Sequence, residues 1–151
     1  MPHVISTTSA RQQRRVIAIA ALAVLAAVSV AAQAGECPAD KVVADGKGQP
    51  MSAAEPAKAV TDKVITSTEL AKEPVAIQGR LFRARLLEIG AGGVVPWHAH
   101  GDRPALILIS SGEITEYAST CAVPIQHKAG DITAEKNPTS HWWKNHGTTP
   151  V

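Results

Sequence analysis

Aromatic side chains are scarce, with one Tyr, one Phe and three Trp making up 3% of 151 residues. No basic stripe runs through the chain, so it lacks both the stacking surface and the electrostatic footprint that nucleic-acid recognition needs. No internal repeat is present. Cysteine is nearly absent: Cys37 and Cys121 are the two. The one long apolar run lies near the N-terminus, from Val16 to Ala32.

That run follows a polar segment bearing Arg11, Arg14 and Arg15 and ends in Ala32-Gln33-Ala34, an A-x-A pattern. Residues 1–34 therefore read as a secretory signal peptide cleaved after Ala34. A retained transmembrane helix is the alternative, and the alanine-rich composition closing in small residues favours cleavage. The Val-Ile-Ala that follows Arg14-Arg15 is a poor match to a twin-arginine signal, and Glu36 sits where a lipoprotein would carry a small residue. Removing residues 1–34 takes three arginines and no acids, so 15 basic and 13 acidic residues become 12 and 13, a net charge of −1. The basic balance thus belongs to the signal. The mature chain is expected to be periplasmic or secreted, with no membrane association after cleavage. Export favours a Cys37–Cys121 disulfide over two free thiols.

Residues 35–60 are rich in Gly, Pro, Ala and Lys without sustained periodicity, as in ADGKGQPMSAAEPAK, and read as an extended or mobile N-terminal arm. Residues 61–151 form one domain, cut into short pieces by Gly79, Gly90-Ala91-Gly92-Gly93, Pro104, Ser111-Gly112, Pro124, Gly130, Pro138 and Gly147. Within the pieces the apolar period is two. In LFRARLLE, Phe82, Ala84 and Leu86 share a face that is expected to be half-buried. ALILIS reads as a strand buried on both sides, EITEYA as its hairpin partner across Ser111-Gly112, and VTDKVITSTELAKE as a further strand. The fold class is all-β, a single barrel or jelly roll of six to eight strands with helices minor or absent.

The chain has six histidines, and His98 and His100 lie one residue apart in VVPWHAHGD. On a strand, residues i and i+2 project to one side, so these imidazoles would share one space, which is half of a metal site. A second segment, AGDITAEKNPTSHWWKN, supplies His141 after a Gly130-Asp131 turn.

Together the two segments resemble the cupin superfamily, in its small single-domain type-2-like form. Gly92, His98, His100 and Gly112 fall on the positions of the first cupin motif, and Gly130, His141 and Asn145 on those of the second. The resemblance covers about residues 75–150 and implies a cupin β-barrel holding a divalent transition metal, iron, zinc, manganese or nickel, on His98, His100 and His141. The pattern also has departures. Ala105 stands where the family usually carries a ligating glutamate, and Lys136 and Pro138 replace the usual proline and glycine of the second motif. Three neutral imidazoles leave the full charge of the ion unneutralised, favouring an anionic ligand in the open positions.

Glu135 is the first candidate for a fourth ligand, ahead of Asp102 on the following turn and Glu116 on the next strand; a solvated or salt-bridged role is the alternative for Glu135. Alternation puts Trp143 on the His141 side as a candidate pocket wall and Trp142 on the other. Asn145 and Arg103 are further pocket candidates, and His127 reads as a surface or rim histidine. The resemblance implies a metal-dependent oxidoreductase or dioxygenase, or else a non-catalytic module that binds a small molecule or metal. Cupins usually continue past the second motif, so with the end at Val151 either the terminal strand is lost or the sequence is a fragment, and an exposed edge there would invite pairing with a second copy as a homodimer.

Overall fold

The computed structural model describes residues 35–151. Residues 1–34, for which a signal peptide is expected from the sequence, lie outside the described residues, among which no helix is long and apolar enough to cross a membrane. Seven strands dominate: β1 (Lys58–Glu69), β2 (Leu81–Ala99), β3 (Ala105–Leu108), β4 (Glu113–Ala118), β5 (Ile125–Lys128), β6 (Ile132–Glu135) and β7 (Ser140–Lys144). Among the described residues the helical elements are three single 3-10 turns of three residues each. The fold class is all-β, with every strand pair antiparallel.

Two sheets form, one of five strands in the order β1-β2-β7-β4-β5 and one of two strands, β3-β6. Their inner faces meet over Ile89, Ile109, Ile114 and Trp143, with Val60, Leu87, Val95, Ile107 and Val151 packed around them. This core draws on both sheets because β-branched residues alternate inward from each, as a two-layer β structure requires.

The pairing corrects three expectations. β2 continues through Gly90-Ala91-Gly92-Gly93, which is not a turn between separate strands but an irregularity within one, where the register with β1 shifts between Val60↔Ile89 and Lys58↔Val94. The glycines instead serve a close approach: a Cβ on Gly93 would lie 2.7 Å from the Gly90 carbonyl oxygen. EITEYA, as β4, pairs with β5 and β7 and not with β3, so Ser111-Gly112 carries the chain from one sheet to the other. ALILIS is apolar on both faces but buried on one. Leu106, Leu108 and Ile132 are exposed on the outer face of β3-β6, with Leu106 at 78%, because among the described residues no third layer covers it.

The Phe82, Ala84 and Leu86 face is also exposed, with Phe82 at 74%. There β2 pairs only with β1, and the two-stranded ribbon reaches past the body of the sheet, beyond the inter-sheet core. Alternation reveals that a strand has two faces; it does not reveal how far the covering layer extends.

Residues 35–57 form an irregular strap that includes the 3-10 turns Ala39–Lys41 and Met51–Ala53, and they are tied down. Val43 N–H donates to the Thr120 carbonyl at 2.9 Å, Gly48 N–H to Ser119 at 2.8 Å and Gln49 N–H to Ala118 at 2.9 Å, while Ala122 N–H donates back to Lys41 at 2.9 Å. The strap lies so close that a Cβ on Gly48 would come within 2.6 Å of the Ala118 carbonyl oxygen. Cys37 and Cys121 are joined by a disulfide with Cα atoms 5.8 Å apart. At the other end, Val151 exchanges two backbone hydrogen bonds with Ile89 of β2, at 2.9 and 3.0 Å.

Candidate metal centre

The site is assembled by one cross-strand pairing. β2 and β7 run antiparallel with His98 directly opposite His141 in the register. His100 lies just past the end of β2, yet its N–H still donates to the Thr139 carbonyl at 3.1 Å, so the extended conformation continues and the i, i+2 relation holds. The three rings close into a triangle with centroid separations of 5.0, 4.5 and 4.9 Å. One ring nitrogen from each of His98, His100 and His141 lies within 4.8 Å of the others.

Each ring is oriented by an oxygen on its Nδ1. His98 Nδ1–H donates to the Pro96 carbonyl at 2.8 Å, His100 Nδ1–H to the Arg103 carbonyl at 3.1 Å, and His141 Nδ1–H to Glu116 Oε1 at 2.6 Å. With Nδ1 committed as donor, Nε2 is the atom left to ligate, because the hydrogen bond of one ring nitrogen sets the role of the other. His98 Nε2 and His141 Nε2 face each other at 3.1 Å. Two neutral imidazoles in this tautomer would oppose lone pairs, so the pair requires a cation, either a proton or a metal.

His100 decides between them. Its Nε2 is buried with no hydrogen-bond partner. A proton shared by His98 and His141 leaves that atom orphaned, whereas a metal ion serves all three nitrogens at once. The spacing fits: nitrogens each about 2.0–2.1 Å from a tetrahedral zinc stand about 3.3 Å apart. Protonation does not compete strongly, since burial pushes His98 down to about 4 and lowers His100 as well. The residues present therefore fit a divalent metal.

Glu135 occupies a different edge of the site. Its Oε2 lies 3.4 Å from His141 Nδ1, and it groups with Glu116 and His141 rather than with His98 and His100. In the register Glu135 is the cross-strand partner of Ala105, the position that lacks the expected carboxylate. A carboxylate is therefore present beside that position, on the neighbouring strand. Burial first, and the nearby Glu116 charge second, push the Glu135 carboxyl up to about 7.

Glu116 shows the opposite direction. Burial opposes its charge, but hydrogen bonds from His127 and His141 outweigh that and hold the carboxyl below its ordinary value. His127 is no surface or rim residue: it is 1% exposed and donates from Nε2 to Glu116 Oε2 at 2.9 Å. The signal for both was alternation. Glu116 falls between inward Ile114 and Ala118 on β4, and His127 is two residues from inward Ile125 on β5.

Trp143 is a core residue that also touches the site, edge-on to His141 with centroids 5.5 Å apart and 4.5 Å from His127. Trp142, on the other face, stacks on Tyr117 at 4.1 Å. Asn145 does not line the histidine cluster. Its buried amide donates to the carbonyls of Ile89, Gly90 and Thr149 at 3.0, 3.0 and 2.8 Å and accepts from Gly147 N–H at 2.8 Å, clasping the C-terminal turn to β2. Arg103 meets the site through its carbonyl, and its side chain is exposed.

No protein-family model matches the chain, and no curated protein matches it. The structure is similar to the cupin domain of Schizosaccharomyces pombe Cnp3, with a TM-score of 0.49 at 17% identity, covering 69% of this chain and 67% of that one.

Proposed function

We propose that this chain is an exported cupin-type domain that holds one divalent transition metal on His98, His100 and His141 and acts as a mononuclear metal-dependent oxidoreductase on a small molecule. The observation that carries the metal is the convergence of three imidazoles whose Nδ1 atoms are all engaged by oxygens, with His100 Nε2 buried and unpartnered. The cupin assignment is supported by the motif positions Gly92, His98, His100, Gly130 and His141 within an all-β, antiparallel fold. Export is supported by the A-x-A pattern and by the Cys37–Cys121 disulfide, which suits an oxidising compartment.

A bound metal of this kind supplies Lewis-acid or one-electron chemistry at its open positions. The chain's own residues do the rest. His98, His100 and His141 present neutral donors, and the buried walls that include Trp143 exclude water from one side of the cluster. Glu116 and Glu135, with carboxyls pushed in opposite directions, give the site one group held ionised and one able to hold a proton near neutrality, a separation that acid–base work requires. Ala105 favours a second reading, a module that binds a small molecule or metal without turnover, because no carboxylate at that position completes a four-ligand set.

Two measurements test these readings. Metal analysis after reconstitution with zinc, iron, manganese or nickel should find near-stoichiometric metal in the wild type and none in the His98→Ala, His100→Ala, His141→Ala triple variant. A wild type as empty as the variant sinks the metal centre. Iron-loaded protein exposed to oxygen with a panel of phenols, thiols and keto acids should consume oxygen in a compound-dependent way that His98→Ala abolishes. Saturable binding without turnover would establish the binding module instead.

A further inference from the structure

Beneath the histidine cluster lies a second layer of buried side chains, Glu116 and His127, whose hold on the cluster is geometric. Glu116 sits in β4, flanked by β7 on one side and β5 on the other. In the register it opposes Trp143 of β7 and Ile125 of β5, so His141 and His127 are its diagonal neighbours, two residues away on the two partner strands. A glutamate reaches both diagonals because the strand spacing brings i, j±2 side chains within contact of long residues. Each oxygen then serves a different ring: Oε1 accepts from His141 Nδ1 at 2.6 Å and Oε2 from His127 Nε2 at 2.9 Å. All three residues are buried, and Trp143 packs against both imidazoles.

We propose that Glu116, gripped by His127, is the positioning residue of the metal centre: it fixes the His141 proton on Nδ1, aims His141 Nε2 at His98 and His100, and places beside the ligand set the negative charge that Ala105 omits. The inference rests on the metal reading above and extends it. An acidic acceptor on the distal nitrogen of a metal-bound histidine raises the basicity of the ligating nitrogen and locks the ring, and removing such partners typically costs 10–100-fold in metal affinity. His98 and His100 have only neutral backbone carbonyls in that role, so His141 is the ligand through which an anionic partner can act. His127 in turn holds Glu116. Its donor is spent on the carboxylate and its own Nδ1 is buried without a partner, so it has no competing hydrogen bond to turn toward.

The test separates this role from the metal reading and from simple core packing. In metal-free wild-type protein labelled with 15N, His141 should carry its proton on Nδ1; a bare Nδ1 overturns the proposal. Zinc is the probe for affinity. Glu116→Ala should weaken zinc binding about 10–100-fold, and Glu116→Gln, which keeps the shape and an acceptor but loses the charge, by about 10-fold. His127→Gln should weaken it by less, since Glu116 stays ionised but loses one anchor. Should Glu116→Ala fail to fold, the isosteric Glu116→Gln decides, and zinc affinity equal to wild type in Glu116→Gln overturns the proposal. If the wild type binds no zinc, the metal reading has failed on its own, and the Nδ1 proton, redistributed in Glu116→Ala but not in Glu116→Gln, still supports the clamp.

Discussion

Replacing Cys37 and Cys121 together by alanine removes the covalent link between the strap and the turn after β4. The bridge spans 84 residues, and the chain-entropy relation for a loop of that length gives about 15 cal/mol/K, or about 4.6 kcal/mol at 25 °C. That is an upper value, because unfolded chains are more compact than the relation assumes. A second contribution adds to it. Cys121 is fully buried with Ala118 and Ile125, and losing its sulfur leaves a small void costing about 1 kcal/mol. Against these, the backbone bonds from Val43, Gly48 and Gln49 survive the substitution. The expected loss is therefore about 3–5 kcal/mol, a large share of the 5–15 kcal/mol that holds a domain folded. Urea unfolding at pH 7 of the oxidised wild type and the double variant measures it. The denaturant slope should also rise in the variant, because an uncrosslinked unfolded chain exposes more surface. A loss under about 1 kcal/mol with an unchanged slope would refute the reasoning, and would mean that the strap's hydrogen bonds hold it without the covalent link.

Asn145→Ala removes a buried amide that bonds the carbonyls of Ile89, Gly90 and Thr149 and the Gly147 N–H, of which the Ile89 carbonyl keeps its bond from Val151 N–H, so it should destabilise the fold by about 1–3 kcal/mol while leaving the zinc affinity of the folded fraction unchanged; altered affinity at full stability would return Asn145 to the site. Glu135 ties stability to pH. Its folded carboxyl is pushed up to about 7, so between the ordinary carboxylate value and about 7 the folded protein keeps a proton that the unfolded chain has released, and stability must fall as pH rises through that window. In metal-free protein, Glu135→Gln should flatten that fall and gain on the wild type from pH 5 to pH 8, and parallel urea curves across that range would contradict it. Gly48→Ala should loosen the strap through the clash with the Ala118 carbonyl and cost about 1–3 kcal/mol, read as a lowered unfolding midpoint.

The histidine triangle was legible in the sequence because period-two geometry and the His98, His100 spacing are local, and because His141 entered through a motif of fixed length. The strands were legible for the same local reason. What stayed hidden was non-local. That EITEYA pairs with β5 and β7 depends on which edges are free once both sheets exist, and ALILIS could not declare that only one of its apolar faces would find a cover. The β1-β2 ribbon shows the same limit, since Phe82 and Leu86 alternate correctly yet project past the core. His127 was misplaced at the surface because a buried polar ring is tolerated only when its partner arrives from another strand, and its pairing with Glu116 exists only in the folded register.

Two of the three ring orientations in the cluster are dictated by main-chain carbonyls, those of Pro96 and Arg103, and the third by a side chain, Glu116. Main-chain acceptors are the same whatever residue carries them, so point substitution has no direct purchase on how His98 and His100 are aimed. His141 alone is adjustable. Glutamine at position 116 would present an uncharged acceptor to His141 while the carbonyls that aim His98 and His100 stay as they are, so the charge beside this one ring can be changed without touching the aim of the other two.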